Sequence, residues 1–97
     1  MLHTINKSPF ESDSLVTCLR FAQPGDVILL LEDGVYGAKA NTKYEPLIKA
    51  ASEKVKFFAL CADLDARGMK DLIIDISCVN YEGFVDLVVD HQVNAWL

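Results

Sequence analysis

Five consecutive large aliphatic residues, Val27-Ile28-Leu29-Leu30-Leu31, stand between Asp26 and the Glu32-Asp33-Gly34 turn. A strand with one wet face alternates apolar and polar residues, whereas an unbroken apolar run of strand length reads as a strand covered on both faces. That demand has to be met by a chain of 97 residues, 52% of them hydrophobic. A chain of this size supports one core, so residues 1–97 are expected to form a single domain.

The flanking segments supply the covering helices. Residues 1–6 are short, apolar and partly β-branched and read as a first strand that ends before Ser8-Pro9. Leu15, Cys18, Leu19 and Ala22 recur at helical spacing, with Asp13 or Ser12 available as a cap and Gln23-Pro24-Gly25 as a stop. Tyr44, Leu47, Ile48 and Ala51 repeat the helical pattern, and Pro46 fits only in that helix's first turn. Val55–Leu60 reads as a third strand, followed by a short helix from Asp63 to Gly68. Ile73–Val79 reads as a fourth strand, Tyr81–Asp90 as a last helix and Val93–Leu97 as a short final strand. Strands alternating with helices predict a three-layer α/β/α domain with a mostly parallel sheet of about five strands.

Nine basic residues face fourteen acidic ones, and the net charge of −5 sits in the C-terminal third, where seven acids meet only Arg67 and Lys70. Such a surface repels a phosphate backbone, so direct nucleic-acid binding is not expected, and a basic protein partner suits it better. No apolar run approaches the roughly 20 residues that span a bilayer. The opening Met1-Leu2-His3-Thr4-Ile5-Asn6-Lys7 lacks the basic, apolar and small-residue order of a signal peptide. A cytoplasmic protein with no membrane contact is the expectation.

In parallel sheets functional groups collect beyond the carboxyl ends of strands, which nominates Asn6-Lys7-Ser8, Glu32-Asp33-Gly34, Cys61-Ala62-Asp63 and Asn80-Tyr81. A phosphate would need glycine amides free of competing charge, and Glu32 and Asp33 occupy that place, with no GxGxxG or P-loop pattern elsewhere. The acidic pair reads as a solvated turn, with Asp33 capping a following helix. Three cysteines separated by 43 and 17 residues, without a CxxC pair, argue against a disulfide framework and against zinc. They are expected to act, if at all, as single thiols in a reducing compartment. Cys61, at a strand end, is the best-placed nucleophile, although Asp63 and Asp65 favour its neutral thiol. Cys18 lies on an apolar helical stripe, and Cys78 alternates with Ile76 and Ile74, so both read as core. His3 and His91 stand at no catalytic spacing and read as structural. Trp96, beside a fraying terminus, needs packing within the sheet or on another chain.

Five segments carry a resemblance: Met1-Leu2-His3-Thr4-Ile5-Asn6-Lys7-Ser8-Pro9-Phe10, Leu30-Leu31-Glu32-Asp33-Gly34-Val35-Tyr36, Asp63-Leu64-Asp65-Ala66-Arg67-Gly68, Tyr81-Glu82-Gly83-Phe84-Val85-Asp86-Leu87 and Ala95-Trp96-Leu97. In this order and over essentially the full length, the chain resembles the DsrH/TusB family of small sulfur-relay subunits. Ser14-Leu15-Val16-Thr17-Cys18-Leu19 puts a cysteine where the DsrH branch has one, so the resemblance is closer to that branch.

The resemblance implies a subunit of a cytoplasmic heterohexamer, a dimer of trimers that also contains DsrE/TusD-like and DsrF/TusC-like subunits. Such a complex relays persulfide sulfur, either toward 2-thiolation of the tRNA wobble uridine or toward a DsrC-type carrier in dissimilatory sulfur oxidation. A DsrC/TusE-like carrier is then an indirect partner. The principal sulfur-carrying cysteine belongs to the DsrE/TusD-like subunit, which leaves Cys18 as the candidate accessory acceptor and this chain as a largely non-catalytic subunit. A thiol relay needs neither metal nor organic cofactor. The alternative is an autonomous sulfurtransferase working through one cysteine, Cys18 or Cys61.

Overall fold

Strands and helices alternate along the chain as β1 (Leu2–Ile5), α1 (Ser14–Phe21), β2 (Val27–Leu30), a 3-10 helix (Glu32–Ala38), α2 (Glu45–Ala51), β3 (Lys56–Leu60), α3 (Cys61–Ala66), β4 (Ile76–Val79), α4 (Tyr81–Asp90) and β5 (Val93–Trp96). This order is that of a computed structural model describing residues 1–97. The five strands form one sheet in the order β4-β3-β2-β1-β5, and every pairing is parallel. The expected α/β class and strand number hold. All four residues of β2 are buried, as its unbroken apolar sequence requires of the central strand.

The register divides each strand between two faces of unequal cover. Trp96, Ile5, Leu30, Ala59 and Cys78 are paired in one row across the sheet, and Ile28, Phe57 and Ile76 are paired in a second row on that face. Leu15 and Cys18 of α1 with Ala22 just after it, Val35 and Ala38 of the 3-10 helix, Ile48 of α2 and Leu64 of α3 close over these rows in the main core. The opposite face carries Leu2, Val27 and Leu29, packed with Phe58, Val79 and only Phe84 and Leu87 of α4. One helix about 10 Å wide covers roughly half of five strands spaced about 4.8 Å apart. The thin face is therefore the incomplete one.

Local signals explain most boundaries. Pro46 sits in the first turn of α2, and the Asn80 side chain accepts the Gly83 amide at the start of α4. At α1 the terminal residue is Asp13 without a side-chain bond, while the Ser12 hydroxyl accepts the Ser14 amide. Two expectations fail. The fourth strand begins at Ile76, not Ile73, because Ile73 spends its amide on the Ala38 carbonyl and its carbonyl on the Ile76 amide. That turn buries Ile73 and leaves Ile74 88% exposed. The acidic turn is itself helical: residues 32–38 wind as a 3-10 helix in which Asp33 is an interior residue and not a cap.

Gly34 is required in that helix for space. A Cβ there would fall on the backbone carbonyl of Ile5, which cannot retreat without breaking the sheet.

β5 is fixed by a polar chain that starts at Asp26, at the amino end of the sheet, and reaches Trp96, the last residue of β5. Asp26 accepts the N-terminal ammonium at 3.1 Å, His3 Nε2–H at 2.9 Å and the Gln23 amide at 2.9 Å. Trp96 Nε1–H can only donate, and it donates to His3 Nδ1 at 3.1 Å, which fixes the His3 tautomer that donates to Asp26. Trp96 thereby finds its packing partner within the sheet, with the Phe21 ring 5.9 Å away. Burial pulls the Asp26 carboxyl upward. The Gln23 amide, His3 and the ammonium together outweigh it and hold the carboxyl at about 2, below its ordinary 3.8.

Gly34→Ala is expected to lower stability by about 3 kcal/mol, the range of a severe overpacking, and urea unfolding measures it. A depressed native carboxyl stabilises the fold above the unfolded value and loses that contribution as pH falls from about 4 to about 2, because the unfolded chain then binds the extra proton. Fluorescence of Trp96, the chain's single tryptophan, should follow this loss in an acid titration of unfolding stability. Asp26→Asn should reduce the slope in that window, and an unchanged slope would refute the assignment.

Candidate functional site

The carboxyl ends of β1, β2, β3 and β4 bring together the segments that strand-end reasoning nominates. The Glu32 amide, at a backbone with φ of +50°, donates to Asp63 Oδ2 at 2.6 Å. Arg67 Nε and Nη2 both donate to Asp33 Oδ1, at 3.1 and 2.8 Å, and Arg67 Nη1 donates to the Asp63 carbonyl at 3.2 Å. The Asp33 hydrogen bonds hold the guanidinium above its ordinary range, and the nearby Asp33 and Asp63 charges add to this. Tyr36 lies under Arg67, and with Lys39, Met69, Lys70 and Asp71 they line a shallow concavity. Asp33 is therefore committed to an ion pair, and the adjacent Glu32 side chain is exposed. The Asp33 and Asp63 carboxylates brace the 3-10 helix against α3, and with Glu32 turned to solvent the acidic pair does not converge on a point where a general acid and base would act.

The cysteines divide in a way their spacing does not announce. Cys18 is 0% exposed in the main core. Burial first, and the Asp26 charge second, push its thiol up to about 12, so the closed chain holds it as a neutral packing group at neutral pH. Cys61 and Cys78 are joined by a disulfide, with Cα atoms 5.1 Å apart. This corrects two expectations, of three single thiols and of Cys78 as a core residue. The parallel register pairs Ala59 with Cys78, so the crossover from β3 to β4 returns the chain beside Cys61, and a separation of 17 residues conceals direct contact. Cys78 does share the Ile76 face, but at the outer end of an edge strand, where it is exposed. Cys61 is half-buried.

The remaining residues take structural places. His3 belongs to the Asp26–Trp96 chain on the β1–β5 side of the sheet, and His91 Nδ1 lies 2.9 Å from the Leu87 carbonyl. No group of three or more His, Cys, Asp or Glu side chains converges as metal ligands do, and no helix is long and apolar enough to cross a membrane. What the sequence reading overlooks is the outer side of α4. Phe84 and Leu87 face the sheet, and Tyr81, Val85 and Val88, with Val89, form a second apolar stripe toward solvent, where Tyr81 is 60% and Val89 76% exposed. The signal is present in the sequence: a helix reading Tyr-Glu-Gly-Phe-Val-Asp-Leu-Val-Val-Asp is apolar on more than one side.

Comparison with known proteins places this arrangement. The family model described as DsrH like protein matches residues 7–94. Protein TusB of Shigella flexneri is 40% identical over 99% of this chain and all of its own length. Protein TusB of Pectobacterium parmentieri is 38% identical with the same coverage. Among solved structures, the YchN protein of Escherichia coli superposes with a TM-score of 0.83 at 16% identity, covering 97% of each chain. A Methanobacterium thermoautotrophicum protein of unknown function gives 0.75 at 16% identity, covering 97% of this chain and 95% of its own. Both are likenesses of fold. With the family model spanning nearly the whole chain and full-length relatives at about 40% identity, the chain belongs to the DsrH/TusB family.

Proposed function

We propose that this chain is a structural and accessory subunit of a sulfur-relay complex, assembled with DsrE/TusD-like and DsrF/TusC-like partners as a dimer of trimers in the cytoplasm. The observation that carries this reading is the outer stripe of α4. Exposed apolar residues gathered on one helix are costly in a free monomer and ordinary in an obligate interface. Tyr81 is the anchor of that stripe, since aromatic side chains dominate interface energetics. The acidic C-terminal third surrounds it with Glu82, Asp86 and Asp90, so a basic rim on the partner complements it.

The TusB name of the relatives favours the branch of the relay that ends in tRNA wobble-uridine 2-thiolation, with a TusE-like carrier downstream. An autonomous sulfurtransferase using Cys18 is disfavoured by a free thiol sealed in the core. Within the assembly Cys18 is the accessory acceptor, and its reaction requires α1 to lift from the sheet, since a persulfide donor must reach the sulfur before it can be attacked.

Co-expression with the two partner types, followed by native mass measurement, tests the assembly. One complex containing all three subunits is expected, and elution of this chain apart from its partners would sink the proposal. Val85→Glu, at a side chain 55% exposed in the monomer, should leave the circular dichroism of the isolated chain unchanged and weaken assembly at least about tenfold. After exposure to a persulfidated DsrE/TusD-like subunit, the assembled wild type should gain one sulfur more than Cys18→Ser. Equal gains would leave Cys18 a packing residue.

A further inference from the structure

Cys18 can offer no sulfur to solvent in the closed chain, yet the other two sulfurs stand paired at the far edge of the same sheet face. Cys61 opens α3 directly after β3, and Cys78 lies in β4, the edge strand beside it. Their Cα separation of 5.1 Å is within the range a disulfide spans without backbone movement. Neither sulfur is part of either apolar core, and β4 is held to β3 by four register pairs independently of the bond. The bond is therefore additional to the packing and the hydrogen-bonded ladder that define the fold. Cys78 is exposed and Cys61 half-buried, so an incoming thiolate reaches Cys78 first. Exposed disulfides are the labile and catalytic kind, and in a reducing compartment a surface pair cycles in preference to acting as a permanent staple.

We infer that Cys61 and Cys78 form a redox couple whose dithiol state takes the outer sulfur of a persulfide and discharges it as sulfide. The choice of a persulfide as substrate rests on the sulfur-relay reading; the exchange chemistry rests on the geometry alone. In the first step the Cys78 thiolate attacks the outer sulfur of a donor R–S–SH. A new S–S bond forms on Cys78, the donor S–S bond breaks, and its electron pair leaves with R–S⁻, which takes up a proton. In the second step the Cys61 thiolate attacks Cys78 Sγ. The Cys61–Cys78 bond forms, the bond to the outer sulfur breaks, and hydrosulfide leaves with the electron pair. In sum, one persulfide and two thiols give one thiol, one hydrogen sulfide and one disulfide: the sulfane sulfur gains the two electrons that the cysteine pair loses. An external dithiol of the thioredoxin class returns the pair to its reduced state by two exchange steps and becomes a disulfide itself. The relay subunit thus carries a discharge point, distinct from Cys18, at which surplus persulfide is drained.

The test uses the full chain reduced with dithiothreitol, freed of reductant and mixed with glutathione persulfide, with sulfide release and intact mass as readouts. Wild type and Cys18→Ser should release about one sulfide per chain, and their mass should fall by two hydrogens as the disulfide forms. Cys61→Ser should stop at the first step, with one sulfur added to Cys78 and no sulfide released. Cys78→Ser should remove the reaction at this pair. Circular dichroism of each variant establishes that it is folded. Sulfide release that survives Cys61→Ser, or a folded wild type whose pair resists reduction by dithiothreitol, would overturn the inference. Assembly with partners but no sulfide release removes the discharge point and leaves the relay reading intact; sulfide release by a chain that never assembles does the reverse.

Discussion

Burial of β2 on both faces is the constraint from which the other features of the fold follow. An interior parallel strand obliges the chain to cross over after every strand, and each crossover deposits a helix or a 3-10 turn on one face or the other. Ninety-seven residues are too few to cover both faces equally. The chain resolves the shortage by putting α1, the 3-10 helix, α2 and α3 on one side and α4 alone on the other. The first side becomes a full core with completely buried aliphatic residues. The second remains half a core, and α4 presents apolar residues to solvent as well as to the sheet.

That asymmetry sets which sulfurs are sealed and which apolar side chains are exposed. The covered face encloses Cys18 and seals its thiol from solvent in the closed chain, while the same face runs out at β4 and leaves Cys78 open. Electrostatics reinforces the division. The carboxylates at the carboxyl edge are consumed in bracing: Asp33 holds Arg67, and Asp63 holds the Glu32 amide and adds to the field at Arg67. They secure the strained start of the 3-10 helix at Glu32, whose positive φ a non-glycine residue adopts only when its surroundings enforce it. The strand ends that in nucleotide-binding parallel-sheet proteins receive a phosphate carry here the ion pairs of Arg67 with Asp33 and Asp63.

Features written in local sequence are legible; features made by the crossovers are not. The unbroken run after Asp26, the helical stripe Leu15–Cys18–Leu19–Ala22 and the Pro46 position specify their elements from within a few residues, and the last helix is read to its exact ends, Tyr81–Asp90. Ile73-Ile74 misleads because a hydrophobic pair beside a strand looks like more strand, whereas its backbone is claimed by Ala38 from another element. The bond between Cys61 and Cys78, the Arg67 grip on Asp33 and the Trp96 bond to His3 join residues 17, 34 and 93 positions apart. No periodicity encodes such contacts. They become visible only when strand order and register are known.

Register also decides what kind of sulfur each cysteine presents. Trp96, Ile5, Leu30, Ala59 and Cys78 occupy one row of the sheet from the β5 edge to the β4 edge. The middle of that row lies beneath helices, and residues there are sealed from solvent. At the β5 end the row is closed by Trp96, which the His3–Asp26 chain holds in place. At the β4 end nothing equivalent covers Cys78, and the side chain that meets it is a second cysteine. A thiol in the middle of the row would need a helix to move before it could react, whereas a pair at its open end needs only a partner that can approach the edge. The division between a sealed thiol and an accessible sulfur pair is thus a consequence of sheet position, set once β2 is placed at the centre.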